Sequence, residues 1–196
     1  MALTKRQQQG AESREQILDV AEALMAERGV SATSISALTK ASGLPASSIY
    51  WHFGSKDGVV VAVMERGARR FFASLAPPSS FTGSDGERIQ AQLRDTARAF
   101  DEHGDFLRLL LALLVLRREG GGDAAAVITT VRSEARARIA AMLDAIDEPT
   151  DDGIADLMLA MIDGAFIAHL EDPRVDFRTR FDQLGRVVEM LLDSRR

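Results

Sequence analysis

Apolar positions recur at intervals of three and four along almost the whole chain, and β-branched alternation is absent, a period that belongs to α-helix. Ser13, with Gln16 three residues on, reads as a capping box that opens a first helix. Its buried stripe is Ile17, Val20, Ala21, Leu24 and Met25, and Gly29 stops it. A short second helix takes Thr33 or Ser34 as N-cap and runs to about Ser42. Gly43 turns the chain, Pro45 suits the opening of a third helix, and Phe53-Gly54 ends it. A fourth helix over about 56–75 follows almost without a linker, and Pro77-Pro78 with Thr82-Gly83-Ser84 make the first real loop. Further helices are predicted over 85–103, 105–118, 123–146, 152–170 and 176–193, with breaks at Gly104, 120–122, Glu148-Pro149 and Asp172-Pro173.

The expected fold class is all-α, with about nine helices: a small head of three helices, then a helical body. The expected divisions are a disordered basic arm over 1–12, the head over 13–55 and the body over 56–196.

Two late helices carry the most apolar surface. Ile154, Leu157, Met158, Met161, Ile162, Ala165 and Phe166 form a stripe, while Leu159, Ala160 and Ile167 cover the other sides. A helix apolar nearly all round must be buried on more than one face, and a partner subunit is the economical explanation. The helix over 176–193 has a clean stripe of Phe177, Phe181, Leu184, Val188, Leu191 and Leu192. Two such helices from each chain would make a four-helix seam with two-fold symmetry. The expected seam residues are Leu157, Met161, Gly164, Ala165, Ala168, Phe181, Leu184, Val188 and Leu191, with Gly164 and Ala168 permitting close helix approach. Simple core packing is the alternative.

With 196 residues, 46% of them hydrophobic, the chain can bury one good core and a small appended domain. It has no cysteine, which removes disulfides and thiolate metal sites and fits a reducing cytoplasm. The first 13 residues lack the apolar run of a signal peptide. The longest apolar blocks, 109–116 and 157–162, fall short of the roughly 18–20 residues that span a bilayer. A soluble cytoplasmic protein with no membrane partner is expected.

The net charge of -5 divides unevenly. Residues 1–70 carry nine Lys/Arg against seven Asp/Glu, and residues 71–196 carry 15 against 22. Positive charge is thus relatively favoured at the N-terminal end. Catalytic signatures are missing: there is no Gly-rich phosphate loop, nucleophile elbow or His-Glu metal helix. His52, His103 and His169 are scattered, and Glu102-His103-Asp105 has no ligand spacing. The expectation is a protein without enzymatic activity, metal or cofactor.

The chemistry concentrates in 43–57. The only Trp and the only Tyr stand side by side as Tyr50-Trp51, with His52 next and Lys56 four residues later. Ile35, Leu38, Ala41, Gly43, Leu44 and Ile49 have the spacing of a helix-turn-helix, which leaves the outer face of the third helix free to enter a major groove about 12 Å wide. Thr33-Ser-Ile-Ser-Ala-Leu, Ala41-Ser-Gly-Leu, Ser48-Ile-Tyr-Trp-His-Phe and Ser55-Lys-Asp together resemble the N-terminal domain of the tetracycline-repressor-like (TetR/AcrR) family of bacterial transcription regulators. The likeness covers about 13–65; the rest matches only in length, helical content and order.

The resemblance implies DNA contacts at Thr33, Ser34, Ser36, Ala46, Ser47, Ser48, Tyr50, Trp51, His52 and Lys56. The start of the second helix near Thr33 would face phosphate. Ser48, Tyr50, His52 and Lys56 would meet phosphate or sugar. Trp51 would pack on the backbone or a base edge, or else merely close the third helix. Ser36 stands where relatives often have Arg, and Ala46 where they often have Lys or Gln, so the expected operator is less guanine-directed. Lys5 and Arg6 would reach a neighbouring minor groove as a basic arm, or lie in a solvated tail.

The resemblance also implies a homodimer on a palindromic operator, with half-sites about 34–36 Å apart. It implies a small-molecule effector pocket in the body, with Met64, Phe71, Phe72, Phe100, His103, Phe106, Leu110, Leu113, Met142 and Phe166 as candidate lining and Arg98 and His169 as candidate polar members. A Met- and Phe-rich lining favours an apolar or aromatic effector. The expected partners are double-stranded operator DNA, a second copy of the chain and that effector. A repressor released by ligand is the leading expectation. A ligand-activated DNA binder, or a helical interaction protein without DNA binding, are the alternatives.

Overall fold

The structure, a computed structural model, describes residues 4–115, 123–144 and 152–193. Among the described residues it is all-α, with nine helices and no strand. They are α1 Lys5–Arg28, α2 Ile35–Ser42, α3 Ala46–Phe53, α4 Lys56–Ser74, α5 Asp85–Glu102, α6 Gly104–Val115, α7 Asp123–Asp144, α8 Asp152–Glu171 and α9 Phe177–Asp193, with a 3-10 turn at Pro78–Ser80. The expected breaks at 120–122 and Glu148-Pro149 lie outside the described residues.

The start of α1 departs from the sequence reading. Thr4, not Ser13, is the N-cap: its Oγ1 accepts from Gln7 N (3.4 Å), and Gln7 Oε1 accepts from Thr4 N (2.9 Å). That is a complete capping box, so residues 5–12 are helix and not a disordered arm. Ser13 lies inside the helix, where its hydroxyl donates to Gln9 O (2.8 Å). Gln16 donates across to Ser42 O (2.7 Å), tying α1 to the end of α2.

The chain forms two compact units, one of residues 1–70 and 104–129, the other of 71–103 and 130–196. Residues 56–70 of α4 fall in the first unit together with α1–α3 and α6. In the first unit Ile17, Leu18, Ala21 and Met25 of α1 are buried together with Leu38, Ile49, Val59 and Val63. Arg66 of α4 is only 2% exposed. Its Nη1 donates to Asp19 Oδ1 (2.6 Å) and Glu15 Oε2 (3.1 Å), and its Nη2 to Glu22 Oε2 (2.7 Å). Burial opposes the charge, but the bonds to Glu22, Glu15 and Asp19 outweigh it and raise the pKa. At Gly67, one residue on, a Cβ would run into the Phe106 ring, so the bare backbone seats α6 against α4.

In the second unit α5 and α9 pack along their lengths. Ile89, Leu93, Ala97 and Phe100 of α5 and Phe177, Phe181, Leu184 and Val188 of α9 are buried, each set spaced at three and four. Phe100 is the centre of an aromatic cluster, with its ring centroid 5.8 Å from Phe71, 5.7 Å from Phe166, 5.6 Å from Phe177 and 5.3 Å from Phe181. α8 is more apolar than its separate blocks indicate: Gly153–Glu171 has mean hydropathy 1.5 over 19 residues, enough by length and composition to cross a membrane. Its two interrupting carboxylates are ion-paired with α7, Asp163 with Arg132 and Asp156 with Arg136. Ile154, Ala155, Met158, Ile162 and Phe166 are buried, the packing of a core helix.

Candidate nucleic-acid interface

The head is built from short helices whose ends are set locally. Ser34 caps α2 by accepting from Ala37 N (3.1 Å). Gly43 ends it with φ 69°, a left-handed turn that suits glycine. Pro45 precedes α3 with extended φ and no side-chain cap bond. Buried Leu38 of α2 and Ile49 of α3 fix the inner faces. Ala41, placed with these by spacing, is exposed instead. Thr39 bonds back to Ser36 O (2.8 Å) on its own helix.

The outer side of α3 is what remains. Ser47 is exposed, Tyr50 is 52% exposed and Trp51 77%, and residues 47, 50 and 51 share one helical face. Ala46, Ser48 and His52 are half-buried at its flanks. Ser34 and Ser36 are exposed on α2. Lys56, at the head of α4, is half-buried, and its Nζ donates to Ser31 O (3.4 Å). Thr33 is the exception among the ten. It is 1% exposed, its hydroxyl donates to Gly29 O (2.9 Å) and its N–H to Val30 O (3.3 Å). Both donors hold the α1–α2 turn, so Thr33 does not face a ligand.

Trp51 does not close α3 by burial. Its ring meets His52 edge-on at 4.5 Å. The His52 pKa is lowered, first by burial and then by the Arg14 guanidinium of α1. Arg14 also lies over the Phe53 ring, 5.4 Å from its centroid. The sequence reading missed Arg14; its place on α1, three residues before Ile17 and on the same face, was the available signal.

The candidate effector residues fall in both units. Met64 and Phe106 are buried in the first unit, where Leu110 and Leu113 are half-buried. Phe71, Phe100, Met142 and Phe166 are buried in the second. There His103 caps α5 and stands edge-on to Phe71 at 6.0 Å. Phe72 carries Arg138 over its ring at 5.1 Å. Arg98 is engaged by Glu102 and Asp95, and His169 meets Val175 O (2.8 Å). An open cleft of about 390 Å³ lies among Ser84, Gly86, Glu87, Gln90, Arg94 and Glu189, none of them a candidate.

The candidate seam divides. Phe181, Leu184 and Val188 are 0%, 5% and 1% exposed, because α5 of the same chain covers that stripe. They present no surface to a partner. Leu157 and Gly164 are exposed, and Met161, Ala165 and Ala168 are half-buried. The exposed large apolar side chains of α8 and α9 are Leu157, Ile167, Val187 and Met190. The Leu191 side chain lies outside the described residues.

Comparison with known proteins agrees with this arrangement. Residues 17–63 match the family described as bacterial regulatory proteins, tetR family. The transcriptional regulator AcrR of Shigella flexneri is 41% identical over 61 residues, 31% of this chain and 28% of AcrR. The transcriptional repressor NemR of Escherichia coli K12 is 32% identical over 94 residues, 47% of each chain. The chain thus matches under half the length of these relatives. A TetR-family regulator from Agrobacterium tumefaciens superposes with TM-score 0.75 at 15% identity, covering 93% of this chain and 98% of that one, which shows the shared fold.

Proposed function

We propose, from the match of residues 17–63 to the tetR family of bacterial regulatory proteins, that the chain is a cytoplasmic homodimeric transcription regulator that binds a palindromic DNA operator. The observation that carries this reading is the outer face of α3. It displays Ser47, Tyr50 and Trp51 while Ile49 anchors the inner face. An α-helix presenting such a face fits a major groove about 12 Å wide.

Tyr50, Ser48 and Lys56 then position the head on phosphate and sugar, and Ser36, Ala46 and Ser47 meet base edges. With Ser36 and Ala46 on the reading side there is no Arg or Lys for bidentate guanine contacts there, so the operator leans on A·T contacts and shape. The exposed side chains Leu157 and Ile167 of α8 and Val187 and Met190 of α9 form the two-fold seam. An apolar or aromatic effector inserts among the rings around Phe100 in the second unit. The effector shifts DNA affinity as far as it binds the DNA-competent and incompetent dimers differently. Repression is in keeping with the relatives named as repressors, and release by ligand is the proposed sign of the switch.

The test is selection from a random duplex pool by the purified protein at physiological salt, followed by sequencing. A palindrome with half-sites one helical turn apart is expected. Tyr50→Ala with Lys56→Ala should abolish that enrichment with the melting curve intact. No enrichment by the wild type, or normal binding by the folded double variant, sinks the reading.

A further inference from the structure

α1 begins three turns before it is buried: Lys5 opens it, and Ile17 is its first fully buried side chain. A helical stretch this short is marginal in water without contacts. This one also breaks local preferences. Lys5 and Arg6 occupy the first turn, where no acid stands and the positive end of the helix dipole repels them. Gly10 sits mid-helix, at a cost of about 0.5–1 kcal/mol relative to Ala. Such departures from local preference concentrate at functional positions.

The segment lies along α3. A Cβ on Gly10 would stand 3.9 Å from Cη2 and Cζ3 of Trp51, and Arg14, one turn on, covers Phe53. Arg6, Gly10 and Arg14 share one helical face, so Arg6 is carried one turn past Trp51. Charge divides α1 at the same place. Residues 4–14 hold Lys5, Arg6 and Arg14 against Glu12 alone, whereas residues 15–28 hold four acids against Arg28. Three of those acids are taken up by Arg66, while Lys5 and Arg6 have no partner among the described residues.

We infer that the first two turns of α1 are a second DNA-contacting element, in which Lys5 and Arg6 bind phosphates of the duplex flanking the half-site that α3 reads. This rests on the DNA-binding reading above. The contact is to the backbone and not inside the minor groove, because a helix about 10–12 Å wide does not enter a groove about 6 Å wide. Phosphate there also relieves the repulsion between the two basic residues and the helix dipole.

Lys5→Ala with Arg6→Ala tests it on a fluorescent duplex carrying the selected operator, titrated across a range of KCl. Each dimer loses four phosphate contacts, so the slope of log affinity against log salt should shrink by roughly 3–4, and affinity at physiological salt should fall at least about tenfold. The melting temperature should hold or rise, since repulsion is removed. Hydroxyl-radical protection of the backbone sugars outside the half-site should vanish. Gly10→Ala, for which a methyl has room, should tighten binding a few-fold by preorganising the helix. Unchanged slope and affinity in the basic-pair variant, with binding still lost on Tyr50→Ala and Lys56→Ala, overturns this inference alone. A wild type that selects no operator overturns both.

Discussion

α3 and α9 both carry large side chains and dispose of them oppositely. On α9, Phe177, Phe181, Leu184 and Val188 stand at regular helical spacing and are at most 5% exposed. On α3, Tyr50 and Trp51 are adjacent, off the stripe that Ile49 anchors, and are 52% and 77% exposed. On α9 the side chains in register with the apolar stripe are covered by the same chain; on α3 the two out of register are displayed. Displayed aromatics leave apolar surface open to a partner, whereas a stripe covered by the same chain does not.

The largest effect that could break this contrast is on stability. Phe181→Ala should destabilise the protein by about 3–5 kcal/mol in urea unfolding, through lost burial and a cavity. Trp51→Ala should stay within about 0.5 kcal/mol, as an exposed site does. Equal losses at the two positions would erase the distinction.

The same contrast explains what was legible beforehand. Ser34, Gly43 and Gly54 were readable as helix ends because caps act within a few residues. The start of α1 was not, because Thr4-x-x-Gln7 and Ser13-x-x-Gln16 are equivalent capping boxes on paper. Gln16 does not cap, because its side chain donates to Ser42 O. The α9 stripe was visible as a stripe, but periodicity does not say whether α5 or a second chain covers it. Thr33 was placed correctly near the head of α2 and wrongly on its surface, because the Gly29 carbonyl that takes its hydroxyl is set by the turn. Arg66 went unnoticed, although Glu15, Asp19 and Glu22 on one face of α1 asked for a buried cation.

A second, smaller effect concerns the exposed apolar side chains of α8 and α9. Leu157→Asp with Met190→Asp places charge on residues 48% and 71% exposed. The dimer dissociation constant, read by sedimentation, should rise about a hundredfold, with the melting curve of the monomer little changed. A dimer of undiminished strength would put the seam elsewhere.

The smallest effect is on α3 itself. Burial and Arg14 hold the His52 pKa below 6.5, so folding disfavours its charged form. Its contribution to stability is therefore present above the unfolded value and declines as pH falls below it. A phosphate beside His52 favours the charged form. DNA affinity should then rise, by tenfold at most, as pH is lowered from about 7.5 to 5.5. His52→Gln should flatten that dependence; a flat profile in the wild type would remove His52 from the phosphate contacts.

Arg66 bears on how the head behaves as a body. A single guanidinium takes carboxylates from residues 15, 19 and 22, two turns of α1, and the neighbouring Gly67 notch holds Phe106. Sliding α4 along α1, or rolling it, would break several charge-assisted bonds at once and strand a buried cation. The turn of α4 that carries Arg66 and Gly67 therefore acts as a spline rather than a bearing. Whatever displaces that turn moves α1, and with it α2 and α3, as one piece.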